Sequence, residues 1–315
     1  MIYKKQFKAM GCQIVVGLDS QSRRAAERLA QAPVWFEEWE SVLSRFREDS
    51  ELSRVNRLAG TNIRVSPVFW QVFQLALETE RKSAGLVSPL VLDALLQAGY
   101  RQSFDKLSAE TSSWGETQQL APVLEKDVQA LDEALIDWEA DTRSIRLTTD
   151  AHLDFGGVAK GWAAHAAMRK LAIYGPALVD AGGDIAVSGV QADGNPWPIG
   201  IADPFNEGDQ IGLIKAGRCG IATSGTDFRR WKQGESWQHH IIDPRTGAPA
   251  VTDVLSATML AADIMGAEMA AKMVLILGSR DGLAWLEDQP GIEGMLILEN
   301  GKQLYSHKFR NYLWE

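Results

Sequence analysis

Cysteine is almost missing from this 315-residue chain, which holds only Cys12 and Cys219. Two distant thiols without a zinc-like spacing exclude a disulfide framework and a cysteine zinc site, so both read as packing residues. Positive charge is also scarce: 32 Lys and Arg stand against 41 Asp and Glu, a net charge of -9 with no basic block. That balance removes the electrostatic footing for a nucleic-acid or anionic-membrane partner. No apolar run is long enough to span a bilayer, and neither an apolar signal segment nor a lipobox stands near Met1. The chain as given is therefore expected to be cytoplasmic, without a transmembrane segment; a removed leader would leave no trace. Repeats, low-complexity tracts and a separating linker are absent too, so one domain over residues 1–315 with no clear internal boundary is expected. With 45% apolar residues the chain can bury a sizeable core, and a small molecule is the expected ligand.

Along the chain, Gln6 to Leu18 reads as a sheet edge broken at Gly11, and Ser20 to Phe46 as helical with an interruption near Pro33. Trp35, Trp39, Val42 and Phe46 fall on one helix face, which predicts a core stripe. Ser66-Pro67 predicts a helix start, an N-cap followed by proline at the first helical position, with the helix reaching about Ser83. Arg101 to Asp132 is the most polar stretch and is expected to be an exposed loop with one short helix. A hairpin around Asp141-Thr142 follows. Further strands are expected at 177–189, 197–203, 220–225, 239–247 and 254–260, then an apolar helix over 262–277, a last helix and a hairpin. Strands and helices do not alternate strictly, so the expected fold class is α+β, mixed sheets packed with helices.

The most suggestive stretch is His152-Leu-Asp-Phe-Gly-Gly-Val-Ala-Lys-Gly161, read as a strand feeding a glycine turn that opens a helix. Glycines at 156 and 157 let backbone approach a ligand closely, and the first N–H groups of a helix favour an anion. Asp154 and Lys160 add a carboxylate and an ammonium. A strand-to-helix corner carrying a solvated lysine fits this segment equally well on its own.

Six motifs stand in order: Met10-Gly11; Leu43-Ser-Arg-Phe46 with Asp49-Ser-Glu-Leu52; Leu153 to Gly161; Ala181-Gly-Gly-Asp-Ile185; Ala222-Thr-Ser-Gly225; and His240-Ile-Ile-Asp-Pro-Arg-Thr-Gly247. Together they resemble the ApbE family, the FAD:protein FMN transferases, over nearly the whole chain. The resemblance implies an enzyme that takes FAD, breaks its pyrophosphate and moves FMN to a threonine hydroxyl of a partner flavoprotein, releasing AMP with the help of magnesium (Mg2+). It implies that Met10, Phe46, Gly85, Leu86, Val87, Asp154, Lys160, Thr223, Ser224, Gly225 and Ile242 lie along FAD. His240 matches the proposed base for the accepting threonine, and Lys160 suits the charge moving onto the leaving phosphate. A loop histidine bonded to backbone is the plainer reading of His240.

For the metal, the resemblance implies the carbonyl of Gly157 and two side chains of the apolar helix, occupied here by Glu268 and Lys272. These depart from the family's aspartate and threonine or serine, and Asp263 is another carboxylate nearby. Lysine has no acceptor atom, so Lys272 is expected to stand in for part of the metal's charge; snorkelling of its stem to solvent is the alternative. Ser88-Pro89-Leu90 stands where the family has Asp-Pro-Thr, and Cys12 where it has threonine. Two other functions remain open: an FAD-binding carrier or sensor with little transfer, and a hydrolase that splits FAD to FMN and AMP.

Overall fold

The structure is a computed structural model that describes residues 1–104, 135–233 and 236–314. The chain runs β1 (Ile2–Ala9), β2 (Cys12–Asp19), α1 (Ala25–Ala30), α2 (Ala32–Leu43), α3 (Glu51–Arg57), β3 (Ile63–Arg64), α4 (Pro67–Lys82), α5 (Leu92–Gln97), β4 (Ile136–Glu139) and β5 (Ser144–Leu147). Then come α6 (Ala159–Ala172), β6 (Ala177–Ala181), β7 (Asp184–Val187), β8 (Trp197–Ala202), β9 (Gln210–Ala216), β10 (Cys219–Gly225), β11 (Arg230–Gln233) and β12 (Ser236–His239). Last are β13 (Ile242–Asp243), β14 (Ala248–Pro249), β15 (Val254–Ala261), α7 (Ile264–Glu287), β16 (Glu293–Leu298) and β17 (Gln303–Tyr305). The fold class is α+β, as the sequence predicts.

Two compact units result. The first comprises Met1–Glu38, Ala159–Asp227 and Thr252–Glu315. Its centre is an eight-stranded sheet in the order β1-β2-β6-β7-β10-β15-β16-β17, every neighbouring pair antiparallel. Strand alternation gives the sheet two apolar faces. Leu178, Ile185, Ile221, Leu260 and Ile297 pack with Trp197, Ile199 and Ile214 of the β8–β9 hairpin. The opposite face takes α6 and α7. Gly220 marks how close α7 comes, because a Cβ there would lie 2.1 Å from the backbone nitrogen of Ile264.

The second unit comprises Trp39–Val158 and Phe228–Val251. It holds α3, α4, α5, the three-stranded sheet β3-β5-β4 and the small hairpins β11–β12 and β13–β14. Ser66 caps α4 by accepting from the Phe69 N–H at 3.2 Å, with Pro67 in the first turn. Gly85, at φ 84°, ends that helix by donating to the Glu80 carbonyl at 2.8 Å.

Several local readings shift. The break before α2 falls at Gln31, and Pro33 sits inside the first turn of α2, where a missing N–H costs nothing. Phe46 lies beyond the end of α2 and is 39% exposed, so it is not part of the core stripe that buries Trp35 and Trp39. The strand expected to feed Asp154 directly, β5, ends at Leu147. The loop and short helix expected over 101–132 fall mostly outside the described residues.

Candidate active site

In the first unit, the candidate residues gather at one end of the large sheet. Met10 and Gly11, at φ 52° and 65°, form the two-residue turn between β1 and β2, a turn type that needs positive φ at both positions. Beside it the Gly182 N–H donates to the Gln13 carbonyl at 3.1 Å, and a Cβ on Gly182 would meet the Cys12 Cβ at 2.7 Å. Gly182 and Gly183, both at positive φ, swing β6 into β7 and set Asp184 at the start of β7. The Gly183 N–H donates to Asp180 Oδ1 at 2.8 Å.

Lys160, in the first turn of α6, gives its ammonium to the buried Asp184 carboxylate. Glu268 and Lys272 of α7 are joined at 3.0 Å, their side chains 2% and 15% exposed. Glu268 presses so closely on α6 that a Cβ at Gly161 would lie 2.4 Å from its Oε2. Burial pushes the Glu268 carboxyl upward, and the Lys272 and Lys160 ammonium groups pull it back. Burial also raises Asp180, with Asp184 adding to the effect. Strands β6 and β7 and helices α6 and α7 therefore place three carboxylates and two ammonium groups in one region, with Asp184 and Glu268 buried.

Thr223 and Ser224 lie at the end of β10 next to this cluster. The Thr223 N–H donates to the Gly183 carbonyl at 3.3 Å, and its hydroxyl lies 2.9 Å from that of Thr258. Alternation sends Thr223 to the hairpin face, with Ile221, and the buried Ser224 to the helix face, with Ala222. Gly225 ends the strand.

In the second unit, Asp154 Oδ2 accepts from Arg45 Nε at 2.7 Å, the two side chains 8% and 6% exposed. Asp154 Oδ1 accepts from the Gly156 N–H at 2.7 Å, so the glycine turn is first capped by its own aspartate. The Asn56 side chain clamps the segment at Leu153, holding both N–H and carbonyl at 2.8 Å. The Arg45 guanidinium reaches the Tyr100 carbonyl at 2.8 Å and covers the rings of Phe46 at 4.1 Å and Tyr100 at 4.6 Å. Tyr100 stacks on Trp231 at 5.0 Å. Burial draws the guanidinium pKa down, and Asp154 opposes the shift.

Ile242 belongs to the core with Leu95, Tyr100 and Trp231. Gly85, Leu86 and Val87 follow the end of α4, and Gly157 lies in the turn after Asp154. The neighbouring histidines differ. His239 Nε2 lies 3.0 Å from the Ala250 carbonyl, and the Ile241 N–H donates to its Nδ1 at 3.3 Å, which assigns the proton to Nε2. Burial lowers its pKa to about 4, so His239 is a neutral structural ring. His240 is half-buried and followed by a loop in which Asp243 binds Arg245 in a fork and caps the turn to Gly247.

Arg45, Asp180 and Asp184 were not singled out from the sequence. Asp184 and Arg45 stood inside quoted motifs, but a salt bridge across the fold leaves no mark in local spacing.

A model of the ApbE family matches residues 10–296; the chain belongs to the ApbE family. It is 28% identical to the FAD:protein FMN transferase of Treponema pallidum, an alignment covering 91% of this chain and 81% of that protein. The similarly named protein of Vibrio cholerae is 29% identical over 88% of this chain and 82% of its own. Among solved structures, the ApbE protein of Thermotoga maritima superposes with a TM-score of 0.84 at 23% identity, covering 100% of both chains. The flavin transferase ApbE of Vibrio cholerae follows at 0.75, with 24% identity over 99% of each. No helix among the described residues is long and apolar enough to cross a membrane.

Proposed function

We propose that this chain is an FAD:protein FMN transferase. The observation that carries the reading is the ApbE match over residues 10–296. The buried Lys160–Asp184 contact at the N-terminal turn of α6 supports it. The threonine Oγ of an acceptor flavoprotein attacks the FMN phosphorus, the bond to the bridging oxygen breaks, and AMP leaves with that oxygen and its electron pair. His240 takes the proton from the attacking hydroxyl. Lys160 and the first N–H groups of α6 offset the charge that grows on the leaving phosphate. By the resemblance, Met10, Phe46, Asp154, Thr223, Ser224, Gly225, Ile242 and the backbone of Gly85, Leu86 and Val87 are the residues that bind FAD.

The two units serve one functional domain in this reading. The chain leaves the first after Glu38 and returns at Ala159, then leaves after Asp227 and returns at Thr252, so neither is a contiguous piece.

Magnesium, implied by the resemblance, requires oxygen ligands in near-octahedral geometry. Gly157 offers a carbonyl, but Lys272 has no acceptor, and Glu268 already accepts the Lys272 ammonium. No cluster of three or more His, Cys, Asp or Glu that could hold a metal exists among the described residues. These residues do not fit the ion.

The test is incubation of the purified protein with FAD, followed by chromatography for AMP. Release of AMP that depends on a threonine-bearing acceptor supports transfer. AMP and free FMN without acceptor indicates hydrolysis, and stable bound FAD indicates a carrier.

A further inference from the structure

The buried carboxylates of Asp184 and Glu268, with the half-buried Asp180, would be the natural draw for a divalent cation at this end of the sheet. Each is already engaged by a donor of the protein. Asp180 accepts the Gly183 N–H, Asp184 the Lys160 ammonium, and Glu268 the Lys272 ammonium through Oε1 at 3.0 Å. The second oxygen of Glu268 faces the bare Cα of Gly161, where even a methyl carbon would sit at 2.4 Å. On the other side Lys272 stands four residues along α7, only 15% exposed. A cation there would meet an ammonium it must displace, and displacement would strand a charge in a largely dry site.

We propose that the fixed ammonium groups of Lys160 and Lys272 take the place of a bound divalent cation, so that this protein holds the FAD pyrophosphate without metal. The proposal rests on the flavin reading above. Each lysine contributes one fixed positive charge, partly offset by the carboxylate that holds it. Asp184 and Glu268 orient the two ammonium groups as acceptors orient any donor, and phosphate oxygens are the further acceptors that such cations attract. Gly161 is what lets Glu268 approach α6 closely enough to hold Lys272 beside the Lys160 turn. Removing Lys272 leaves Glu268 with an open oxygen, and a smaller hydroxyl side chain in its place makes room for an ion. The chain thus exchanges an exchangeable metal for a covalently fixed charge.

The experiment measures FAD affinity by calorimetry on wild-type protein, once with chelator and once with saturating magnesium, and Mn2+ binding by electron paramagnetic resonance. Lys272→Thr and Lys272→Met are compared, with folding checked by circular dichroism. The expected result is wild-type affinity that changes less than about twofold on chelation, with no stoichiometric Mn2+. Lys272→Met is expected to lose about tenfold or more, the loss of a charge-assisted hydrogen bond. Lys272→Thr is expected to acquire one Mn2+ per chain and an affinity that chelation weakens. One Mn2+ per wild-type chain, or wild-type FAD binding that collapses under chelation, overturns the proposal while leaving the flavin reading intact. Absence of FAD binding in both conditions overturns the flavin reading and the proposal with it. If neither variant folds, the wild-type comparison alone decides.

Discussion

Glu80 is the least expected residue of the interior. It is 4% exposed on α4, and its Oε2 has no hydrogen-bond partner among the described residues. Burial pushes its pKa from 4.5 to about 7, with Ser88 acting weakly the other way. The folded protein therefore holds a proton that the unfolded chain releases between these values. Stability from this group is fully present below pH 4.5, falls as pH rises, and is lost once the folded carboxyl ionises near 7. The loss can reach about 3 kcal/mol at 1.36 kcal/mol per unit. Glu80→Gln is expected to flatten the fall between pH 5 and pH 8 in urea denaturation, and an unchanged slope would assign it elsewhere. Ser88 is one of the departures read from the sequence, but the buried acid facing it was invisible there, since α4 carries two glutamates, Glu78 and Glu80, of similar local setting.

Arg45 and His240 carry two further expectations. Arg45→Met strands Asp154 as a buried charge and is expected to cost about 3–5 kcal/mol of stability; a loss under about 1 kcal/mol would reveal water around the pair. His240→Ala is expected to lower turnover about 10²–10⁴-fold with FAD affinity nearly unchanged. His239→Ala, which cuts the tie to Ala250, is expected instead to lower the melting temperature. If affinity falls together with turnover in His240→Ala, that ring positions FAD and does not take the proton.

At the scale of elements, α7 shows what periodicity can and cannot deliver. An apolar helix over 262–277 followed by another helix was legible because the apolar run stops at Gly278. The structure bends there, at φ 79° and ψ 173°, and Asp253 caps the second segment by accepting the Ser279 N–H at 2.8 Å. Gly278→Ala is expected to destabilise by about 1–3 kcal/mol, the range for a non-glycine residue forced into such a conformation; calorimetric melting checks it, and no change would mean the bend relaxes. The β6–β7 and β10 strands were legible from β-branched runs between glycines. By contrast, β9, whose polar start at Gln210 breaks the alternation, left no clear signal. Phe46 was misplaced because a helical spacing of apolar residues continues past the real end of α2, where the chain turns to bring Arg45 to Asp154.

At the scale of the whole molecule, the eight-stranded antiparallel sheet was beyond sequence reasoning, since its order joins strands separated by the second unit. The family was legible because six short motifs fall where turns and strand ends bring chemistry together: Met10, Asp184 and Thr223 at one end of one sheet, and Asp154 tied to Arg45 in the other unit. The most direct measurement is a single reaction of purified protein, FAD and a threonine-bearing acceptor flavoprotein, with AMP quantified by chromatography and the acceptor by intact mass. One AMP released for each FMN joined to the acceptor through a phosphoester, absent when the threonine is replaced by alanine, is the predicted result. AMP formed with all FMN left free in solution, or FAD recovered intact, would contradict it.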